Sequence, residues 1–354
     1  MQEALVAAFA GTGWPFAAGL YLVIGFLLLR PTGTPGARVA AALGWPLELA
    51  QRLSGATGLP YLFLLPNMIV FGLFTFASLF INLGFSVTEG QSILFPERDW
   101  AGADNLRRLL AETQIDTGAA NREDDKFLAA VRDTTIFALF QVPIMIAVAL
   151  VTALALNREL RGRALWRAVF FYPVMLSPVV VGFLWTLILK RQGALSQTLM
   201  TWGWIEEPVQ WLTDPVWSMI WSVFVFTWAH LGFYMLILLA GLQAIPRDVY
   251  EAAEMDGTPA WRQLTRITLP LLAPTLLVVT VLSLIKAVQA FEELYAMQVS
   301  WISLVAYIFD TSGLRGQPTT HGLGIAATAS LLVALVLIAL SLVQIALSSR
   351  AQRA

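Results

Sequence analysis

Three carboxylates fall within six residues of the stretch Tyr250–Gly257, YEAAEMDG: Glu251, Glu254 and Asp256. On a helix, Glu251 and Glu254 lie one turn apart and can share a face that meets a basic groove. The plainer alternative is an acidic amphipathic loop that only links its neighbours. The rest of the chain offers little other chemistry. It has no cysteine, so disulfides, thiolate metal sites and cysteine nucleophiles are excluded. Its only histidines, His230 and His321, are far apart in sequence and argue against a histidine-rich metal centre. Neither a GxxxxGK[ST] phosphate loop nor HExxH occurs, and two isolated histidines suggest no Ser–His–Asp set. The remaining carboxylates cluster in loops, where they read as solvated surface.

The elements that must position these acids are those of a membrane protein. Of 354 residues, 58% are hydrophobic and 13% charged, with thirteen Trp and twenty-one Phe, and mean hydropathy is +0.71. Soluble domains carry about twice that charge. Apolar runs near 14–29, 60–84, 134–156, 166–189, 217–242, 269–289 and 322–347 predict seven transmembrane helices, an all-α polytopic fold. The segment 39–53 is short, holds Glu48, Arg52 and Pro46, and reads as an interfacial helix. No basic residue precedes the first apolar run and Arg30 follows it, the reverse of a secretory signal. Residues 1–59 are therefore expected to form an extra N-terminal span and an interfacial segment. After the first core span, 60–84, comes an outer loop at 85–131, then the core at 132–349 and a tail at 350–354.

Basic residues orient the chain. One side gathers Arg30, Arg38, Arg52, Arg158, Arg161, Arg163, Arg167, Arg247, Arg262, Arg266, Arg350 and Arg353 against six acids. With Lys286 set aside inside its span, the other side has nine basic and seventeen acidic residues. The positive-inside rule then places YEAAEMDG in the cytoplasm, the N-terminus outside and the C-terminus inside.

Around the acids, local signals predict an elbow over 246–268. Pro246 suits the first turn of a helix, and Gly257 suits the left-handed residue that ends one. Thr258 and Pro259 are expected to cap and restart the chain as a second short helix leading into ITLPLLAP. Ala252 and Ala253 keep one side thin, so that another surface can approach.

Polar residues within spans are costly in lipid and tend to face a cavity or another helix. Candidates are Asn67, Gln141, Ser177, Thr186, His230, Tyr234, Ser283, Lys286 and Gln289. Trp228, Phe233 and Tyr234 surround Gly232, where a helix could yield room, and they suit the apolar faces and hydroxyls of a sugar. His230 reads best as a satisfied donor between helices. Lys286 lies far along its span. It either snorkels to outer water, pairs with Glu292 or Glu293, or faces a cavity, where it would favour an anionic solute.

The spacing of Glu251-Ala252-Ala253, Gly257, Ile267 and Leu269-Pro270 resembles the EAA motif of ABC importer permeases. LGFYMLILLAGLQAIPRDVYEAA and LNRELRGRALWRAVFFYPVMLSPVVVGFLW resemble the binding-protein-dependent carbohydrate-uptake (maltose-type) branch, and WAGADNLRRLL resembles the segment before its first core span. One departure is AMQVSW after Tyr295, where the family has a Thr-Gly-Gly-Gly-Pro-like run. The resemblance implies a non-catalytic membrane subunit that moves a sugar or sugar derivative inward by alternating access. The acids would then form a coupling helix with Glu251, Ala252, Ala253, Asp256 and Gly257 at the ATPase contact. It implies a substrate pathway along Leu231, Gly232, Tyr234, Ser283, Lys286, Ala287, Gln289 and Ala290. It also implies a second homologous permease, two ATPase subunits that bind ATP and Mg, an extracytoplasmic solute-binding protein, no cofactor in this chain and a prokaryotic inner (plasma) membrane. Two other readings are an integral-membrane glycosyltransferase, which needs acidic metal-binding pairs at a membrane face, and a secondary transporter, which usually shows internal repeats.

Overall fold

The computed structural model describes residues 64–65, 67–90, 92–111, 126–158, 161–313 and 322–351. Among them, six helical segments are long and apolar enough to cross a bilayer: Asn67–Ser86, Phe127–Asn157, Pro178–Thr201, Pro215–Gln243, Ala260–Val288 and Gly322–Ala346. Helix is the form that satisfies every backbone group without water. The expected span at 14–29 and the interfacial segment at 39–53 lie outside the described residues.

The chain divides into two compact units, residues 1–80 and 81–354. In the first, the described residues are helical, and Gly72–Ala77 are π-wound. The second begins with helical residues up to Ser86 and then a short hairpin of β1 (Thr88–Glu89) and β2 (Asp99–Trp100), antiparallel with Thr88 opposite Trp100. Arg98 ties this hairpin together. Its guanidinium donates to Thr88 Oγ1 at 2.9 Å, Gly90 O at 2.6 Å and Ser92 O at 2.7 Å, and lies 4.9 Å over the Phe85 ring. Burial lowers its pKa from the usual arginine range, since the charged form loses hydration. Helix α1 (Asp104–Ala111) follows. Its Asn105 is fully buried and donates to Ser86 O at 2.9 Å and Thr88 O at 3.0 Å. A Cβ on Gly324 would lie 2.6 Å from this amide, so the glycine is what lets the two chain segments meet. The WAGADN segment is thus a structural lock.

The helical core consists of α2 (Lys126–Asn157), α3 (Arg163–Phe171), α4 (Pro178–Leu189), α5 (Ala194–Thr201) and α6 (Pro215–Gln243). It continues through α7 (Arg247–Met255), α8 (Ala260–Gln263), α9 (Leu269–Val288), α10 (Glu292–Met297), α11 (Leu304–Thr311) and α12 (Gly322–Ala351). Helices α2, α6 and α9 pack around Met145, Ala149, Met235, Leu238, Leu272 and Val279, all buried. The alanines on α2 leave room for the leucines of α6, which gives the close fit of an interior. Helix α2 begins at Lys126, earlier than the apolar run, because Phe127 and Ala130 continue its buried stripe against Tyr307 of α11.

The apolar run at 166–189 is not one helix. Helix α3 ends at Phe171, a 3-10 turn covers Tyr172–Met175, and Leu176 and Ser177 are extended before α4 starts at Pro178. Pro178 has no N–H to continue a helix, and the residue before a proline avoids the helical region. Hydropathy is blind to such a break because the residues stay apolar. Residues 298–304 are held from several sides. Ser300 N donates to Leu212 O at 3.0 Å, Trp301 Nε1 to Ser222 Oγ at 3.0 Å and Leu304 N to Thr134 Oγ1 at 2.9 Å. Within this stretch Gln298 adopts the left-handed conformation, with φ 54° and ψ 48°.

Candidate functional site: a glycine-ended elbow beside a broken helix

Helix α7 starts directly after Pro246, whose extended backbone (ψ 138°) turns the chain out of α6. It ends in a paired-bond C-cap. Thr258 N donates to Ala253 O and Gly257 N to Glu254 O, both at 2.9 Å, with Gly257 at φ +66°. These are the two bonds of the Schellman motif, which needs a left-handed residue at the glycine position. Thr258 is therefore the last donor of α7. It makes no side-chain cap on α8, whose preceding residue is Pro259. The carbonyl of Thr258 accepts from Gln263 Nε2 at 3.0 Å instead. A π-wound stretch, Leu264–Thr268, joins α8 to α9. The two arms of the elbow are braced by Tyr250 Oη and Thr268 Oγ1, 3.1 Å apart.

Burial sorts the motif. Ala253 is only 6% exposed, so it packs within this chain and its small size serves that contact. Glu251, Ala252, Glu254, Asp256 and Gly257 are exposed. Met255, which sequence reasoning passed over, is 89% exposed at the tip of the elbow. Its signal was an apolar side chain set among acids. Among the described residues there is no group of three or more metal-ligand side chains, and no ion pair occupies Glu251, Glu254 or Asp256.

The polar span residues fall in two classes. Leu231 and Tyr234 are buried against α2 and α9, and Ala287 and Ala290 against Phe137 and Phe226. Ser283 is fully buried and donates to Gln141 Oε1 at 3.4 Å. Thr186 donates to Gly182 O at 2.8 Å within α4. Gly232 has no room to spare: a Cβ there would lie 2.6 Å from Phe170 O and 2.7 Å from Phe171 Cα, so α3 already fills the notch. His230 Nδ1 lies 3.0 Å from Phe226 O, a contact within α6, while Glu293 Oε1 of α10 is 3.7 Å away, beyond hydrogen-bond distance and without a hydrogen-bond partner. Trp228 packs edge-on to Trp185, with ring centres 5.7 Å apart. In contrast, Asn67, Ser177, Phe233, Lys286 and Gln289 are exposed. Lys286 and Gln289, three apart, share a helix face, and among the described residues neither Glu292 nor Glu293 pairs with Lys286. His321 lies outside the described residues.

The break at Leu176–Ser177 was not read from sequence, although Tyr172-Pro173 and Ser177-Pro178 mark its ends. Irregular backbone at membrane depth is tolerated where protein buries it or water reaches it. Tyr172, Met175 and Ser177 are exposed beside it, and the Tyr172 and Ser177 hydroxyls are its polar groups within an apolar run.

A polytopic helical protein with an interrupted span and an exposed elbow between two others has the build of a membrane transport subunit. The chain belongs to the family described as the binding-protein-dependent transport system inner membrane component, whose match covers residues 142–353. It is 32% identical over 292 residues to the lactose transport system permease protein LacF of Rhizobium radiobacter, covering 80% of this chain and 92% of that protein. It is 30% identical over 240 residues to the trehalose/maltose transport system permease protein MalF of Thermococcus litoralis, covering 68% and 76%. A chain in the crystal structure of a bacterial alginate ABC transporter, bound to its alginate-pentasaccharide-loaded periplasmic protein, shares the fold. Its TM-score is 0.65 at 23% identity, over 85% of this chain and 97% of that one.

Proposed function

We propose that this chain is the transmembrane permease of an ATP-driven importer that moves a sugar or sugar derivative into the cytoplasm. The observation that carries the reading is the elbow: a glycine-ended helix that turns acids and one bare methionine outward between α6 and α9. Two ATPase subunits, which bind ATP and Mg, dock on that elbow. A second, homologous permease completes the pathway, and a solute-binding protein delivers from outside. The elbow lies in the cytoplasm, the N-terminus outside and the C-terminus inside. The sugar-transport names of the relatives LacF and MalF support the substrate class.

The mechanism is alternating access. ATP closes the ATPase pair, and the brace from Tyr250 to Thr268 passes the movement of α7 to α9 as one body. Helix α9 carries Ser283, Lys286 and Ala287, with Gln289 at its C-cap. With Ala290 beyond its end and Leu231, Gly232 and Tyr234 on α6, they form the wall that rearranges around the solute. The exposed cation of Lys286 supports an anionic sugar, such as a sugar acid, phosphate or sulfonate. This chain supplies path and coupling, and its partners supply hydrolysis.

Native mass spectrometry of the mildly solubilised complex tests the reading through its partners. A mass that fits this chain, a second permease and two ATPase subunits is expected. A stable complex without any ATPase would point to the secondary-transporter or glycosyltransferase readings.

A further inference from the structure

Helix α10 ends at Met297, and Gln298 closes it in the left-handed conformation, giving its N–H to Tyr295 O at 3.2 Å. Among the described residues it is the only non-glycine with positive φ. Glycine or asparagine usually holds such a position, because a longer side chain is strained there. The closing bond uses only the backbone, so it does not call for glutamine. What glutamine adds is its side chain, and Gln298 is exposed and lines a cavity. Backbone strain at a cavity wall points to a role for the residue that bears it.

The cavity holds about 400 Å³, with Tyr295, Gln298, Val299, Trp301, Ile302 and Asp310 in its lining. That is the size of a small-molecule pocket. Its walls are preset. Trp301 is pinned to Ser222 at 3.0 Å, and its ring stacks on Phe137 with centres 5.2 Å apart. Tyr295 packs edge-on to Phe309 at 5.5 Å and donates its hydroxyl to Asp310 Oδ1 at 3.1 Å. Amide, phenol and carboxylate beside Val299 and Ile302 offer donors, acceptors and apolar surface together. Sugar rings, with hydroxyls at their rim and C–H groups on their faces, need that combination. Helix α9 has 20 residues, a rise of about 30 Å, so the segment after it stands at the bilayer face opposite the elbow.

We propose that Gln298, with Tyr295 and Asp310, forms an entry subsite that hydrogen-bonds an uncharged, hydroxyl-bearing sugar ring before the solute reaches the wall of α6 and α9. Glutamine stands at a glycine-favouring position because its amide reads those hydroxyls. The assignment rests on the importer reading, in which this face is external and the solute is a sugar.

The test uses the purified complex. Ser300→Cys gives the chain its one thiol, at an exposed position in the cavity lining. Its rate of reaction with a maleimide is read on this chain's own mass while lactose, maltose or an alginate oligosaccharide is added. At least one sugar should slow the reaction severalfold. Gln298→Gly in the same background should raise the sugar concentration for half-protection about tenfold, the scale of a lost hydrogen bond to a ligand. Its melting temperature should stay or rise, since glycine suits the backbone there. Gln298→Asn, which keeps an amide and tolerates the same conformation, should lie between. An unchanged half-protection concentration in Gln298→Gly would leave the glutamine as a helix cap and overturn the proposal. No protection by any of the three sugars would overturn it too. Uptake of the same sugars, measured in parallel in membranes, separates the two readings. Uptake without protection would leave the importer reading standing and remove the subsite, whereas protection without uptake would support the subsite and remove the importer reading.

Discussion

Thr258 gives its backbone N–H to the carbonyl of Ala253 at 2.9 Å, closing α7 across a left-handed Gly257. Nothing lies within 4 Å of a Cβ built on that glycine, so side-chain space does not constrain the position and backbone conformation does. Gly257→Val should cost about 1–3 kcal/mol in this conformation, misdirect the elbow and abolish transport while membrane insertion persists. Gly257→Asn, which tolerates the left-handed region, should retain most of the uptake. Solute uptake and ATPase stimulation in the same membranes check both variants.

Trp301 is anchored to Ser222, whose hydroxyl in turn donates to Ser218 O at 2.7 Å. Ser222→Ala leaves the buried indole N–H without its acceptor, at a cost of about 1–3 kcal/mol. The melting temperature of the solubilised complex should fall by several degrees, while Ser222→Thr, which keeps an oxygen there, should lie between. An unchanged melting temperature for the alanine variant would mean that the loop after α10 is held by its other bonds alone.

The elbow was legible in the sequence because proline and glycine act locally, so Pro246 and Gly257 mark its ends without knowledge of neighbours. The fate of Thr258 was not, since capping forward or backward depends on which helix claims its N–H. Ala252 and Ala253 are the same residue type, and only the fold decides that one faces outward and the other inward. The break at Ser177-Pro178 hid in a run whose hydropathy is continuous. Lys286 and Ser283 are both polar and three residues apart on one helix, so spacing alone puts them on neighbouring ground, and only the packing of other helices buries Ser283 and leaves Lys286 exposed.

Orientation can be read with single cysteines, since the native chain has none. Ala252 is exposed on the elbow and Glu206 is exposed in the loop before α6. In intact cells, a membrane-impermeant maleimide should label Glu206→Cys and spare Ala252→Cys. The opposite pattern would place the elbow outside and remove the docking proposal with it.

Lys286 is exposed and, among the described residues, has no carboxylate in pairing range. If its ammonium meets the solute, Lys286→Gln should reduce uptake of an anionic sugar by about tenfold or more, the scale of a lost charged hydrogen bond. Uptake of a neutral sugar should change little. Equal effects on both, with assembly intact, would leave the lysine as a side chain that reaches outer water.

Met255, 89% exposed, is the most outward apolar side chain of the elbow, and burying it in a partner's pocket is worth roughly 1.5–3 kcal/mol. A benzophenone maleimide attached to Met255→Cys in the assembled complex therefore probes the central claim directly. On illumination it should form one main adduct with the mass of this chain plus an ATPase subunit, and the same probe at Glu206→Cys should form none. An intact complex that yields no ATPase adduct at Met255, or an equal yield at Glu206, would contradict the account.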